Sequence, residues 1–380
     1  DLLLFKKFYL NNIYIILIKN MKKSKYLKLN KSNIIKKNNN SNEKNIHFGF
    51  AILKNFLAFE VIISHCFNRG LMSKIKNKFI LLILTKRRTH VPSFFILSFY
   101  FNHNTLVSND WKKKINRFAR LLIPYIGWPI IIFIASNNSK YYKKYEHLSS
   151  YKILIYQLLT GEGQRLLHFW YLLDLIATTL LFILIILIFR KKYLFVFQLI
   201  IIFSYYLQYS EYYKKMIAPF YSKNAYSREN ELIPYAVTGF TLASVKFFKL
   251  LENYKFNTFV LSILIYHLVR NKTIFTDAYG VVYQGIHLNI LSICLVSFFS
   301  LFPLNCFKNK YLFKLLKIIT NHSGGIFYLH QMVQFYFKDY FIEIKNATFN
   351  GLIIIYLISY IISVLGTAIF YKTILKNLFS

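Results

Sequence analysis

The first long apolar segment of the chain carries two ionisable side chains whose spacing could place them on one helix face. Lys54 and His65 are eleven residues apart. Eleven residues make close to three helical turns and a rise of roughly 16 Å, so one face would present a cation and, further along, an imidazole. An imidazole gains and loses its proton near neutral pH, which suits a general base. The alternative is a histidine whose ring is satisfied by a neighbouring helix.

Two arginines open another apolar segment, in the stretch KKKINRFARLLIPY. Arg117 and Arg120 are three residues apart and therefore share a helix face. A guanidinium can donate two parallel hydrogen bonds to a phosphate, so this pair suits a phosphate-rich donor such as a coenzyme A thioester. The alternative is a positively charged anchor that touches lipid headgroups.

Further polar side chains interrupt apolar segments, where they are costly and therefore candidates for function. A hydroxyl such as that of Ser98 could bond a substrate or the backbone of its own helix. Trp170 and Asp174 are one turn apart and share a face, from which His168 is offset. We predict that these side chains support the site or contact an acceptor. The full set is Ser98, His168, Trp170, Asp174, Tyr328 and His330.

The elements that position these residues are long apolar segments. Of the 380 residues, 56% are hydrophobic and 19% are aromatic, and they occur in blocks without the period-two alternation of a barrel. Blocks of this kind predict an all-α, polytopic membrane bundle of about ten transmembrane helices. The predicted segments are 48–67, 91–107, 118–136, 168–189, 193–210, 231–246, 257–270, 284–304, 319–337 and 350–371.

The basic residues predict the orientation of this bundle. The formal net charge is +35, but Lys and Arg lie mostly in short clusters between apolar blocks, and no nucleic-acid-binding motif occurs, so lipid is the expected partner. With the basic N-terminal tail in the cytoplasm, both termini are cytoplasmic, and we expect the plasma (inner) membrane. Residues 68–90 do not fit this orientation, because the loop that they form is predicted to lie outside and is nevertheless basic. Either it is an interfacial insertion or the topology near the start is wrong.

The ends of the chain differ in composition from its centre. Residues 1–47 are predicted to be a basic, largely disordered tail, whose first 20 residues precede Met21 and play no part in the functional argument. Residues 48–372 form the predicted membrane domain, and 373–380 a short tail. The three cysteines have no metal-ligand spacing, so we expect neither a metal site nor a permanently bound cofactor.

Five segments in this order resemble the membrane-bound acyltransferase-3 family over about residues 48–372. The first is the pair Lys54 and His65, and the second is VPSFFILSFYF. The third holds Arg117, Arg120 and the following Pro-Tyr, and the last two are HFWYL and IFYLHQ. Two positions depart from the family pattern: Lys54 stands where arginine is usual, and Phe99 where glycine is usual.

The resemblance implies a ten-helix acyltransferase. It implies transfer of an acyl group, usually acetyl, from acyl-CoA as co-substrate to a hydroxyl of a glycan, a lipid-linked sugar or another small acceptor. By the same resemblance His65 is the catalytic residue, while Arg117 and Arg120, with Lys54, bind the donor. His65 would either deprotonate the acceptor hydroxyl or carry the acyl group for part of the reaction.

Two other functions fit the same segments. A transporter or flippase of a glycan or lipid precursor would use the intramembrane His, Asp and Glu residues as a proton relay, although no repeated halves are evident. A diverged family member without activity is the third hypothesis. The departures at Lys54 and Phe99 keep this hypothesis open, and the presence of His65 with both arginines weighs against it.

Overall fold

The computed structural model describes residues 49–62, 89–137, 151, 155, 158–159, 169–209, 229–251, 254–272, 285–301, 311, 329–330 and 349–370. Within these ranges the chain is helical apart from short connections, and no strand is found. The predicted all-α class is therefore confirmed.

Most described helices follow a predicted apolar segment, for example at 91–107 and 350–371. The predicted segment 319–337 lies almost entirely outside the described residues, and the short helix Phe247–Leu251 corresponds to no predicted segment. One difference is α3, which begins at Trp111, seven residues before the predicted apolar segment. In chain order the helices are α1 (49–62), α2 (His90–Val107), α3 (Trp111–Asn137), α4 (Phe169–Phe189), α5 (Tyr193–Tyr209), α6 (Glu229–Ser244), α7 (Phe247–Leu251), α8 (Lys255–Lys272), α9 (Ile286–Ser300) and α10 (Phe349–Phe370).

Helices α4 and α5 form a hairpin at a basic turn. A 3-10 turn at Arg190–Lys192 joins them, and Arg190 has a φ of 43°. The rings of Phe182 and Phe197 lie 4.3 Å apart, centroid to centroid. In one straight helix these fifteen residues would span roughly 22 Å, so the chain must reverse here. The reversal falls between the predicted segments 168–189 and 193–210.

By length and composition, this hairpin contains a candidate membrane span. Among the described residues, one helical stretch, Trp170–Gln208, is long and apolar enough to cross a membrane. Shorter apolar helical segments occur at Asn257–Tyr266, Ile286–Ser300 and Leu357–Ile369. The number of ten spans stays a prediction.

The hairpin is apolar outside and partly polar inside, which is the reverse of a soluble protein. Large apolar side chains face outward, and lipid is the solvent that suits them. The exposed ones include Leu180, Leu184, Ile188, Phe195, Leu199 and Ile202. Polar side chains of the same two helices are buried, among them Asp174, Thr178, Thr179, Ser204 and Gln208.

Helices α1 and α2 run antiparallel. Near one end, the Thr89 hydroxyl donates a 3.1 Å hydrogen bond to a carboxylate oxygen of the buried Glu60. Near the other end, the rings of Phe50 and Phe101 meet edge to face at 5.2 Å. The Glu60 carboxylate therefore takes part in packing one helix against the start of the next, as expected for an ionisable group inside a bundle.

Two glycines allow close approach of neighbouring helices. A Cβ built on Gly239 of α6 would lie 2.1 Å from the backbone oxygen of Ile96 in α2. A Cβ on Gly49 of α1 would lie 1.9 Å from the backbone oxygen of Phe299 in α9. Small residues at helix contacts are typical of membrane bundles, where packing and not water drives association.

The contacts agree with an alternating, up-and-down path of the helices. Gly49 and Phe299, which touch, both fall at predicted cytoplasmic ends. Gln208 and Gly285 both fall at predicted outer ends, and the Gly285 N–H donates a 3.1 Å hydrogen bond to the Gln208 side chain. The relative directions of these helices thus match those expected from the charges, whereas the absolute orientation in the membrane stays a prediction.

Candidate functional site

A tight turn between α2 and α3 sets the geometry of the site. The last turn of α2 is closed by the Ser108 N–H, which donates to the Asn104 carbonyl at 3.1 Å. Asp110 then precedes α3, and its carboxylate accepts a 3.2 Å hydrogen bond from the Lys113 N–H. This side-chain cap satisfies a free donor of the first turn and explains why α3 begins before the apolar segment. The turn makes α2 and α3 antiparallel neighbours.

The turn brings Arg117 of α3 against Ser98 of α2. An Nη of Arg117 donates a 2.5 Å hydrogen bond to the Ser98 hydroxyl. Both side chains are partly buried. The two residues are 19 positions apart in sequence, and the contact depends on the α2–α3 register. This contact is a third possibility beside the two alternatives for Ser98: its oxygen accepts a hydrogen bond from a second helix.

Lys54 of α1 joins the same region of α2. Its ammonium lies 5.2 Å from the centroid of the Phe101 ring, a cation–π distance. Phe101 is three residues beyond Ser98 and therefore on a neighbouring part of the same face. The positive charges of Lys54 and Arg117 are close enough to repel one another. Lys54 and Arg117 thus converge on one stretch of α2.

We call Lys54, Ser98, Phe101 and Arg117 the basic cluster. Two like charges inside a partly buried bundle raise each other's energy, and an anion between them would lower it. The guanidinium offers a planar fork for phosphate, and the ammonium offers a point charge. The cluster therefore has the donors and the charge to hold a phosphate group.

Arg120 lies outside these contacts. It is exposed on α3, one turn beyond Arg117, and the exposed Lys112 and Lys113 precede it on the same helix. Lys113 forms an ion pair with Asp110 at 3.5 Å. Arg120 therefore belongs to an exposed basic surface beside the cluster, and its predicted role in donor binding stays a prediction.

Other predicted site residues are buried elsewhere in the bundle. Trp170 and Asp174, expected on one face of α4, are both buried, and Asp174 is fully so. His330 is fully buried too, and a methyl of its neighbour Leu329 lies 3.0 Å from a Cβ built on Gly366 of α10. Burial of an acid and an imidazole keeps both as functional candidates.

Three predicted site residues, His65, His168 and Tyr328, lie outside the described residues. The basic loop at 68–90 lies almost entirely outside them as well. The roles suggested for these residues stay predictions. In the part of the chain that is described, no group of three His, Cys, Asp or Glu residues could hold a metal ion.

Sequence reasoning missed Phe101 and did not anticipate how Phe99 would fit. The spacing of three from Ser98 could have indicated Phe101, but an aromatic residue in a span is ordinary. Phe99, which replaces the usual glycine, is buried and packs 4.6 Å from the ring of Phe182 in α4. A phenylalanine at this position fills the core between α2 and α4 and does not disrupt it.

Similarity to known proteins identifies the family of this chain. The chain matches the acyltransferase-3 family, described as an acyltransferase domain, over residues 48–372. No curated protein and no solved structure matches it. The family match covers most of the chain and includes every residue of the basic cluster. The chain therefore belongs to the acyltransferase-3 family of membrane-associated acyltransferases.

Proposed function

We propose that this protein transfers an acyl group, most simply acetyl, from acyl-CoA to a hydroxyl of a glycan, a lipid-linked sugar or another small acceptor. The observation that carries the proposal is the basic cluster, in which Lys54 and Arg117 converge on α2. Acyl-CoA is a donor that carries phosphate groups. The family supports acyl transfer in general, and the cluster supports this class of donor.

The electrostatics of the cluster favour a multiply charged anion. The 2.5 Å hydrogen bond to Ser98 holds one part of the Arg117 guanidinium in place, so the fork is oriented before the donor arrives. The Phe101 ring holds the Lys54 ammonium. Preorganised charges lose little conformational entropy on binding, which favours affinity.

The depth of the cluster fits a cytoplasmic donor. Lys54 lies five residues after the described start of α1, and Arg117 six residues after the start of α3. Both of these helix starts are predicted cytoplasmic ends. Acyl-CoA is a cytoplasmic metabolite, so its phosphate groups would meet the cluster from that side, with the thioester reaching further into the bundle.

The chemical step needs a base or a nucleophile near the thioester. We propose His65 for this role. In one route its imidazole takes the proton of the acceptor hydroxyl as the oxygen attacks the thioester carbonyl, and the coenzyme A thiolate leaves and is protonated. In the other route the imidazole attacks the thioester, and coenzyme A leaves as the thiol after taking the ring proton. The acceptor hydroxyl then attacks the acyl-imidazole, and the released imidazole takes up the hydroxyl proton. An acyl-enzyme trapped without acceptor would distinguish the second route from the first.

The experiment uses purified protein in lipid nanodiscs with radiolabelled acetyl-CoA and a lipid-linked sugar extract. We expect label on the acceptor with the wild type and none above background with His65→Ala. Arg117→Ala should raise the KM for acetyl-CoA by about tenfold or more, since a charged hydrogen-bonding group is lost. Lys113→Ala is the matched control, because Lys113 is an exposed cation on the same helix, paired with Asp110.

Two results would overturn the proposal. Equal acetyl transfer by the wild type and His65→Ala would remove His65 from the mechanism. Movement of the sugar lipid across the membrane of sealed vesicles that contain the protein, without consumption of acetyl-CoA, would favour the transporter hypothesis. Melting curves of each variant separate lost activity from lost folding.

A further inference from the structure

A second polar group lies between α5, α6 and α9, away from the basic cluster. Its centre is Asn289, which is buried. The amide nitrogen of Asn289 donates hydrogen bonds to the Tyr205 hydroxyl and to the Thr238 hydroxyl, each at 2.7 Å. Both amide hydrogens are therefore used, and three helices are joined by one side chain.

The hydrogen bonds determine which way the Asn289 amide points. The Thr238 hydroxyl donates its only hydrogen to the Pro234 carbonyl at 2.8 Å. It can therefore only accept from Asn289, which places the amide nitrogen on this side and the amide oxygen on the other. That oxygen is buried and has no hydrogen-bond partner in the described part of the chain. A buried amide oxygen in this state calls for a donor, an O–H or N–H group.

Polar groups continue from Asn289 towards the start of α9. Gly285, one turn before Asn289, donates its N–H to the Gln208 side chain, which lies one turn beyond Tyr205 on α5. The His287 ring lies against Gly285, 2.8 Å from the position of a Cβ. We call Tyr205, Gln208, His287 and Asn289 the polar strip. It reaches the helix ends predicted to face the outside.

The polar strip and the basic cluster both adjoin the contact between α2 and α6. Thr238, which holds the Asn289 amide, precedes Gly239, and Gly239 packs against the backbone of Ile96. Ile96 is two residues from Ser98 on α2, a rise of roughly 3 Å. A donor at the cluster and an acceptor at the strip would thus approach the same part of the bundle from the two predicted membrane sides.

We propose that the polar strip is the binding site for the acceptor and that the Asn289 amide oxygen accepts a hydrogen bond from an acceptor hydroxyl. The Asn289 amide oxygen can accept from a hydroxyl, and the His287 imidazole near the start of α9 can donate or accept, so the expected ligand is a sugar or sugar-like alcohol. The proposal rests on the proposed function for its chemical meaning, but binding of a polyol can be measured without any acyl transfer.

The first measurement is binding of hexyl glucoside to the protein in lipid nanodiscs, with 1-hexanol as the probe that lacks the sugar. We expect hexyl glucoside, and not hexanol, to raise the melting temperature with increasing concentration. Asn289→Leu should raise the Kd for hexyl glucoside about tenfold, the factor for losing one buried hydrogen bond. Ser292→Ala is the matched control, since this buried hydroxyl donates to its own helix at Leu288 and should leave the Kd unchanged.

A second variant keeps the test decisive if Asn289→Leu does not fold. Tyr205→Phe keeps the ring and removes the hydroxyl that holds the Asn289 amide, so it should weaken hexyl glucoside binding by a smaller factor. Absence of binding to the wild type, or wild-type affinity in a folded Asn289→Leu or Tyr205→Phe protein, would overturn the acceptor site.

The two proposals fail in different ways. If hexyl glucoside binds through Asn289 but acetyl-CoA is never consumed, the acceptor site stands and acyl transfer is wrong. If acetyl transfer depends on Arg117 while Asn289→Leu leaves the acceptor KM unchanged, acyl transfer stands and the acceptor site is wrong.

Discussion

Two serines on α2 differ in whether their hydroxyl group has a hydrogen-bond partner among the described residues. Ser98 accepts the hydrogen bond from Arg117, whereas the hydroxyl of Ser93 is buried and has no partner among the described residues. A buried hydroxyl without a hydrogen bond destabilises the folded protein, whereas a hydrogen bond to a charged group stabilises it. The same residue type, five positions apart on one helix, therefore has opposite energetic consequences.

This contrast predicts opposite effects of alanine at the two serines. Ser98→Ala removes the oxygen that orients Arg117, at a cost of about 1.5–3 kcal/mol in donor binding, so the KM for acetyl-CoA should rise roughly tenfold or more. Ser93→Ala should leave this KM unchanged and should hold or raise the melting temperature. A KM that responds equally to both changes would contradict the role of Ser98.

Lys54 offers a test of the departure from the family pattern. Lys54→Arg should keep or lower the KM for acetyl-CoA, because a guanidinium can stack on the Phe101 ring and also donate to phosphate. Lys54→Met keeps much of the length and removes the charge, and should raise that KM about tenfold, by the loss of one charge-assisted contact. Steady-state kinetics with varied acetyl-CoA measure both. Equal KM values for Lys54→Met and the wild type would remove Lys54 from donor binding.

Glycines at helix contacts set the distances between neighbouring helices. Gly239 and Gly49 each face the backbone oxygen of a neighbouring helix, which cannot move aside without shifting the whole helix. Gly366 of α10 instead faces the methyl end of Leu329, a flexible side chain. The three positions therefore differ in what an added methyl group would displace.

Alanine at these glycines should separate rigid from adaptable contacts. Gly239→Ala forces α2 and α6 apart and should destabilise the protein by about 1–3 kcal/mol, the usual range for overpacking. Gly366→Ala should be near neutral, because Leu329 can change rotamer and alanine favours a helix. Thermal melting in nanodiscs provides the comparison. Equal melting temperatures for Gly239→Ala and Gly366→Ala would show that a methyl group at position 239 does not destabilise the packing of α2 against α6.

At the scale of the whole molecule, the described hairpin has an apolar outside and a partly polar inside, and helix directions alternate. Contacts between helix ends, such as Gly49 with Phe299 and Gln208 with Gly285, join ends expected on the same side of the membrane. The orientation matters for function, because the proposed mechanism needs the basic cluster to open towards the compartment that holds acyl-CoA.

Cysteine accessibility tests this orientation. In a variant without Cys66, Cys294 and Cys306, we expect Lys191→Cys to react with a membrane-impermeant maleimide only from the cytoplasmic side. Ile286→Cys, at the exposed start of α9, should react only from outside. Sealed inside-out and right-side-out vesicles give the comparison. The reverse pattern would place the basic cluster away from cytoplasmic acyl-CoA and would contradict the proposed route of the donor.

Most helix positions could be read from the sequence because the cause is local. Long apolar segments that cannot bond to water must satisfy their own backbone as helices, and the basic turn at 190–192 ends one helix and begins the next. Residue types likewise indicated Lys54, Arg117 and Ser98 as candidates, because polar groups at these depths are costly. The start of α3 was less predictable, since the Asp110 cap extends the helix into a basic stretch.

Only the tertiary structure decided which of these side chains meet. Spacing in sequence constrains neighbours on one helix, but contacts between helices depend on the rotation and register of each helix, which the α2–α3 turn and the close approach at Gly239 set. That is why Arg117 reaches Ser98 while Arg120 remains exposed, and why Phe101 lies under Lys54. The buried amide oxygen of Asn289 could not be foreseen either, because its direction follows from hydrogen bonds to two other helices.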